Sequence, residues 1–119
     1  AYQPVPFMAT YAATKAFNLL LAEALWYELK GKGVDVLALS PGGTRTGFQK
    51  RAHVKSSYAS DAPADVVKTA LDSLGKKPSV VHGLRNKVSA SLVGMLPRRV
   101  AIYAAALAGN FLERSGKHK

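Results

Sequence analysis

The stretch "YAATK" sets Tyr11 and Lys15 four residues apart. A phenol can give or take a proton, and a fixed cation beside it favours the ionised form. An ordinary phenol titrates near pH 10, about three units above neutrality, so closing that gap takes roughly 4 kcal/mol of preference for the phenolate. Residues i and i+4 share one face of a helix, which brings the two side chains together without further help. The spacing by itself is common. With five tyrosines and eleven lysines in 119 residues, chance supplies the pattern roughly 0.5 times. A surface tyrosine beside a surface lysine is the rival reading, and the surroundings decide between them.

A second constellation follows about 25 residues later, where "VDVLALS" runs into "PGGTRTG". The first segment is apolar, rich in valine and of strand length, which suits a strand buried on both faces of a parallel sheet. The second, with Pro41, Gly42, Gly43, Thr44 and Thr46, is a loop. Open α/β sheets bind ligands at the C-terminal ends of their strands. Glycines there let a backbone approach a ligand with no Cβ in the way. A plain glycine turn is the alternative.

The elements that must hold these residues can be read along the chain. "MATYAATKAFNLLLAEALWYELKGKG" predicts a helix: Ala, Leu, Glu and Lys dominate, and Gly31 and Gly33 supply a stop. It is apolar nearly all round, which predicts burial. "APADVVKTALDSLGKK" predicts a second helix with Pro63 in its first turn and Val66, Val67, Ala70, Leu71 and Leu74 on one face. "SVVHG" predicts a short strand ending at His82, Leu84 to Leu96 an amphipathic helix, and Pro97 the opening of another helical segment to about Glu113. The tail "RSGKHK" is expected to be loose. Helices alternating with strands make an α/β pattern. Two short strands are a poor sheet, and a crossover needs neighbours that these residues do not encode. The economical expectation is the C-terminal part of a larger α/β domain, with residues 98–119 as its basic helix and tail.

Composition narrows the function classes. Nearly half the residues are hydrophobic, which opposes disorder. The absence of cysteine excludes disulfides and thiolate metal sites and fits a reducing, cytoplasmic setting. His53, His82 and His118 are scattered and suggest no metal cluster. No charged-then-apolar leader opens the sequence, and no apolar run reaches the ~20 residues of a membrane span. The net charge of +10 is uneven: residues 41–60 carry Arg45, Lys50, Arg51 and Lys55 without an acid, and residues 84–119 carry seven cations against Glu113. A solvated face is the plain reading; an anionic substrate or an acidic lipid surface is the sharper one. No helix-turn-helix or aromatic platform supports nucleic-acid binding. "VAIYAAALAGNFL", flanked by Arg98, Arg99 and Arg114, is too short to span a bilayer and suits packing against the domain or a second subunit, or a membrane surface.

Taken jointly, "YAATKAF" and the later "SPGGTRT" resemble the classical short-chain dehydrogenase/reductases, whose pattern is Tyr-x-x-x-Lys on a helix followed by a strand ending in Pro-Gly-x-x-x-Thr. Tyr11 and Lys15 match the first part; Pro41, Gly42 and Thr46 match the second. "QPVPFMATY" and "GLRNKVSASLVGMLPRR" also look like family segments, so the resemblance covers essentially the whole chain. It implies a Rossmann-type doubly wound parallel sheet, of which this is the C-terminal half without the N-terminal strands. It implies an NAD- or NADP-dependent oxidoreductase interconverting an alcohol and a carbonyl compound. Tyr11 would be the acid/base, and Lys15 would tune it and bind the nicotinamide ribose. Pro41, Gly42, Gly43, Thr44 and Thr46 would line the cofactor, with Thr44 standing where an aliphatic residue is common. Residues 47–62 would form a substrate lid, its cations suited to an anionic substrate such as an acyl thioester. A homo-oligomer is implied for the full-length protein. The family's glycine-rich pyrophosphate turn is absent from residues 1–119, and its serine, ~13 residues before the tyrosine, would fall before residue 1; the chain alone is therefore expected to be inactive. The rival expectation is a non-catalytic, basic, peripheral membrane or scaffolding protein with the same fold.

Overall fold

The computed structural model describes residues 1–42 and 61–116, with side chains as far as residue 108. The elements in chain order are α1 (Ala9–Leu29), β1 (Ala38–Ser40), α2 (Pro63–Ser73), β2 (Ser79–Val81), α3 (Leu84–Met95) and α4 (Arg98–Gly116). The architecture is α/β. Its residues fall into two compact units, Asn18–Lys87 and Ala1–Phe17 with Val88–Lys119.

The unit Asn18–Lys87 is built on one parallel strand pair. Ala38, Leu39 and Ser40 lie opposite Ser79, Val80 and Val81. The ladder is extended at both ends, by Ala38 N–H donating to the Pro78 carbonyl at 2.9 Å and His82 N–H donating to the Ser40 carbonyl at 3.1 Å. Parallel strands need a long crossover, and α2 with its flanking chain supplies one. Helix α2 packs on β2, and the core here is Ala38, Val66 and Val80, with Val80 only 7% exposed. Pro63 opens α2, where its missing N–H costs nothing. The exposed Lys68–Asp72 pair at 2.8 Å spans one turn of the same helix. The far end of α1 is tied in by Ser79 Oγ, which donates to Glu23 Oε1 at 2.6 Å. Helix α1 stops where Gly31 and Gly33 take positive φ, 84° and 76°, a conformation that only glycine adopts without strain.

In the unit formed by Ala1–Phe17 and Val88–Lys119, a turn feeds α1: Met8 N–H donates to the Val5 carbonyl at 3.1 Å, with Pro6 inside it and Phe7 at φ 67°. Ala101 and Ala105 are buried on one face of α4, and Ala12 is the buried residue of α1. A cavity of about 390 Å³ is lined by the N-terminal segment, Ala12, Ala13, Ala16, Arg98 and Ile102.

Three expectations need correction. The strand predicted over residues 34–40 is confined to Ala38–Ser40, because only that part finds a hydrogen-bonding neighbour in β2. Helix α1 was expected to be buried. Instead Phe17 is 63% exposed and Tyr27 77%, and Leu20 and Leu21 are also exposed. A sheet of two three-residue strands offers too little apolar surface to cover a 21-residue helix that is apolar on all sides. The tail expected to be loose from Arg114 continues as helix to Gly116. Neither arginine nor serine is a helix breaker, so Arg114 and Ser115 give no local stop signal before Gly116.

Exposed apolar patches of this kind drive association. The 119-residue chain alone is expected to sediment as oligomers whose size grows with concentration; a monomer across the micromolar range would contradict this.

Candidate functional site

Tyr11 and Lys15 occupy the first two turns of α1. Both side chains point outward, Tyr11 being 53% exposed. The Lys15 Nζ lies 5.5 Å from the centre of the Tyr11 ring, within the range at which a cation and an aromatic face attract. The same helix makes a second pair of this geometry, Lys30 over Trp26 at 5.0 Å. The i, i+4 spacing therefore places a cation on a ring wherever it occurs; only at Tyr11 does the ring carry a hydroxyl that can exchange a proton. Thr14 closes its own hydroxyl on the Thr10 carbonyl at 2.8 Å and leaves the Tyr11–Lys15 stripe clear. The α1 residues lining the cavity are Ala9, Ala12, Ala13 and Ala16; Tyr11 and Lys15 are not among them.

Pro41 and Gly42 follow β1 directly. Gly43, Thr44 and Thr46, with the cations Arg45, Lys50, Arg51 and Lys55 and with His53, lie outside the described residues. Gly42 has a steric reason to be glycine. A Cβ there would collide with the Asn86 carboxamide, 2.9 Å from its Cγ and closer still to its Nδ2. The backbone of residue 42 and the Asn86 carboxamide thus lie against each other just past the end of β1. Tyr11 and Lys15 belong to one compact unit and Pro41 and Gly42 to the other.

Sequence reasoning gave His82 no role beyond ending a strand. The structure makes it the hub at the end of the strand pair. Its backbone N–H holds Ser40. Its Nδ1 lies 2.7 Å from Thr69 Oγ1 on α2, and its Nε2 lies 3.6 Å from Asp61 Oδ2. Its carbonyl accepts from Asn86 Nδ2 at 2.8 Å. Thr69 Oγ1 also lies 3.0 Å from the Asp65 carbonyl, so one hydroxyl joins the first turn of α2 to the ring. No periodicity marks these residues; Asp61, Thr69, His82 and Asn86 meet only because the crossover brings them to one strand end. Among the described residues no group of three or more His, Cys, Asp or Glu could hold a metal ion, and no helix is long and apolar enough to cross a membrane.

Known proteins resemble this chain over much of its length. Residues 1–56 match the short chain dehydrogenase family. A 7beta-hydroxysteroid dehydrogenase of Clostridium sardiniense is 37% identical over 86 residues, covering 70% of this chain and 33% of the relative. A very-long-chain 3-oxoacyl-CoA reductase of Bos taurus is 34% identical over 106 residues, covering 85% of this chain and 33% of the relative. The hydroxysteroid dehydrogenase-like protein 1 of Gallus gallus is 29% identical over 97 residues, covering 80% of this chain and 29% of the relative. No solved structure matches. The chain belongs to the short-chain dehydrogenase/reductase family, with an α/β fold matching part of a Rossmann-type domain. It spans about a third of the length of these relatives.

Thr69→Val keeps the shape of the side chain and removes the hydroxyl between His82 and Asp65. A loss of about 1 kcal/mol, the usual net worth of such a hydrogen bond, is expected from urea unfolding of the full-length protein. An unchanged midpoint would show that the hydroxyl does not brace the strand end.

Proposed function

We propose that this chain is the C-terminal half of a single Rossmann-type domain in an NAD- or NADP-dependent oxidoreductase that interconverts an alcohol and a carbonyl compound. The observation that carries the reading is the Tyr11–Lys15 pair, exposed on a helix of a short-chain dehydrogenase relative. A nicotinamide cofactor, when bound, accepts or supplies the hydride. The chain's own part is the proton. Charge develops on the substrate oxygen as hydride moves, and the Tyr11 hydroxyl gives a proton to that oxygen in reduction or takes one in oxidation. In this reading Lys15, one helical turn on and over the same ring, is the group set beside that hydroxyl. Lys15 also holds the cofactor ribose, while Pro41, Gly42, Gly43, Thr44 and Thr46 receive the nicotinamide end.

The names of two relatives place a hydroxyl on a steroid and an oxo group on a very-long-chain acyl-CoA. The reading takes from them a hydroxyl or oxo group on a large apolar skeleton as the substrate class. Coenzyme A esters are anionic, and Arg45, Lys50, Arg51 and Lys55 give the segment after the cofactor turn the matching charge. The glycine-rich turn and the serine of the family pattern would come from sequence beyond these residues, so the 119 residues alone would lack activity. A homo-oligomeric, cytoplasmic enzyme, with the basic C-terminal helix touching a membrane surface, completes the proposal. The rival, a non-catalytic basic scaffold, keeps the fold and drops the proton chemistry.

Tyr11→Phe in the full-length protein keeps the ring and deletes the proton donor. kcat should fall about 10²–10⁴-fold, the worth of a positioned acid/base, with cofactor affinity nearly unchanged. Near-normal kcat would remove Tyr11 from the chemistry and favour the scaffold. Lys15→Met should weaken cofactor binding, since the ribose loses its hydrogen-bonding partner. Unchanged cofactor affinity would rule out that role of Lys15.

A further inference from the structure

At the end of the strand pair a single carboxamide is wedged between two glycines. Asn86, half-buried at the third position of α3, sends its Nδ2 back to the His82 carbonyl at 2.8 Å. On one side lies Gly42, where a Cβ would stand 2.9 Å from Asn86 Cγ. On the other lies Gly83, at φ 83°, where a Cβ would stand 3.1 Å from Asn86 Nδ2. Helix α3 starts against this point, with Lys87 N–H donating to the Gly83 carbonyl at 3.0 Å. His82 in turn is fixed by its backbone bond to Ser40 and by its ring contacts to Thr69 and Asp61. The carboxamide is therefore held by a rigid strand end and seated directly against the backbone of residue 42.

We propose that Asn86 is a positioning residue for the cofactor-binding turn: its carboxamide, hung from the His82 carbonyl, is the wall against which the Pro41–Gly42 backbone rests. The inference depends on the nicotinamide-cofactor reading of that turn. A shorter side chain at residue 86 leaves the turn without its support on one side. The backbone of residue 42 then gains the space the carboxamide occupied, and displacements near 1 Å are costly wherever a ligand must be held in register. Asn86 touches no reacting atom in this account. Its effect passes through the backbone of residue 42, so it should appear in cofactor affinity far more than in turnover at saturating cofactor.

The test uses the full-length protein, titrated with NADH and with NADPH by calorimetry and assayed at varied cofactor concentration. Asn86→Ala should raise the Kd and the KM of the preferred cofactor about ten-fold and leave kcat at saturating cofactor within about three-fold. Asn86→Asp keeps the size but replaces the donor with a carboxylate facing the His82 carbonyl. It should weaken binding in the same direction and serves if the alanine variant does not fold. Gly42→Ala should weaken binding strongly beside Asn86 and less in the Asn86→Ala background, where the collision is gone; such non-additivity is the mark of direct contact. Unchanged cofactor affinity in both residue-86 variants, or an equal cost of Gly42→Ala in both backgrounds, overturns the role of Asn86 while the oxidoreductase reading stands. Failure of the unsubstituted protein to bind either nucleotide overturns that reading and this inference with it.

Discussion

Everything at the proposed cofactor turn depends on one backbone hydrogen bond beyond the formal end of the sheet, from His82 N–H to the Ser40 carbonyl. The strand pair is only three residues long on each side. A pair so short leaves its last carbonyls to be satisfied by whatever follows. Here the partner that follows is a histidine whose ring reaches α2 and whose carbonyl receives a side chain from α3. One residue thus carries the strand register into both flanking helices. That bond fixes the last residue of β1, from which Pro41 and Gly42 continue.

Charge and apolar surface are distributed in different ways. The side-chain contacts of the strand end, Asp61–His82–Thr69 and Ser79–Glu23, are short-range and directional. They join elements far apart in sequence, and burial strengthens them because water competes less. The Lys68–Asp72 pair lies on solvent, and such a pair adds little. Most of the cationic excess lies elsewhere, in residues 41–60 and 84–119.

Helix α1 shows how far local chemistry goes. Its composition guarantees a helix, and its glycines end it at the expected place. Its two aromatic–lysine pairs follow from spacing alone. Which of them could do chemistry is settled by the side chain: a phenol exchanges protons, an indole does not. The exposed leucines and aromatics of the same helix are a matter of supply. Two short strands cannot offer enough apolar area to pair with all its faces.

Much of the design was legible in residue order. Helix positions, the parallel strand pair and the closeness of Tyr11 and Lys15 follow from periodicity, stop signals and i, i+4 geometry, all of which are local. The length of β1 was not legible, because "VDVLAL" is equally apolar throughout and only a hydrogen-bonding neighbour decides which residues become strand. The roles of His82, Thr69, Asp61 and Asn86 were hidden for a related reason. Each is an ordinary polar residue in its own segment, with Asp61 21 positions from His82 and Asn86 44 positions from Gly42, and none belongs to a periodic pattern. Sequence determined that a tyrosine and a lysine share one face of a helix; tertiary structure decided that a carboxamide from α3 meets the backbone of Gly42, because only the parallel crossover brings those two backbones to the same strand end.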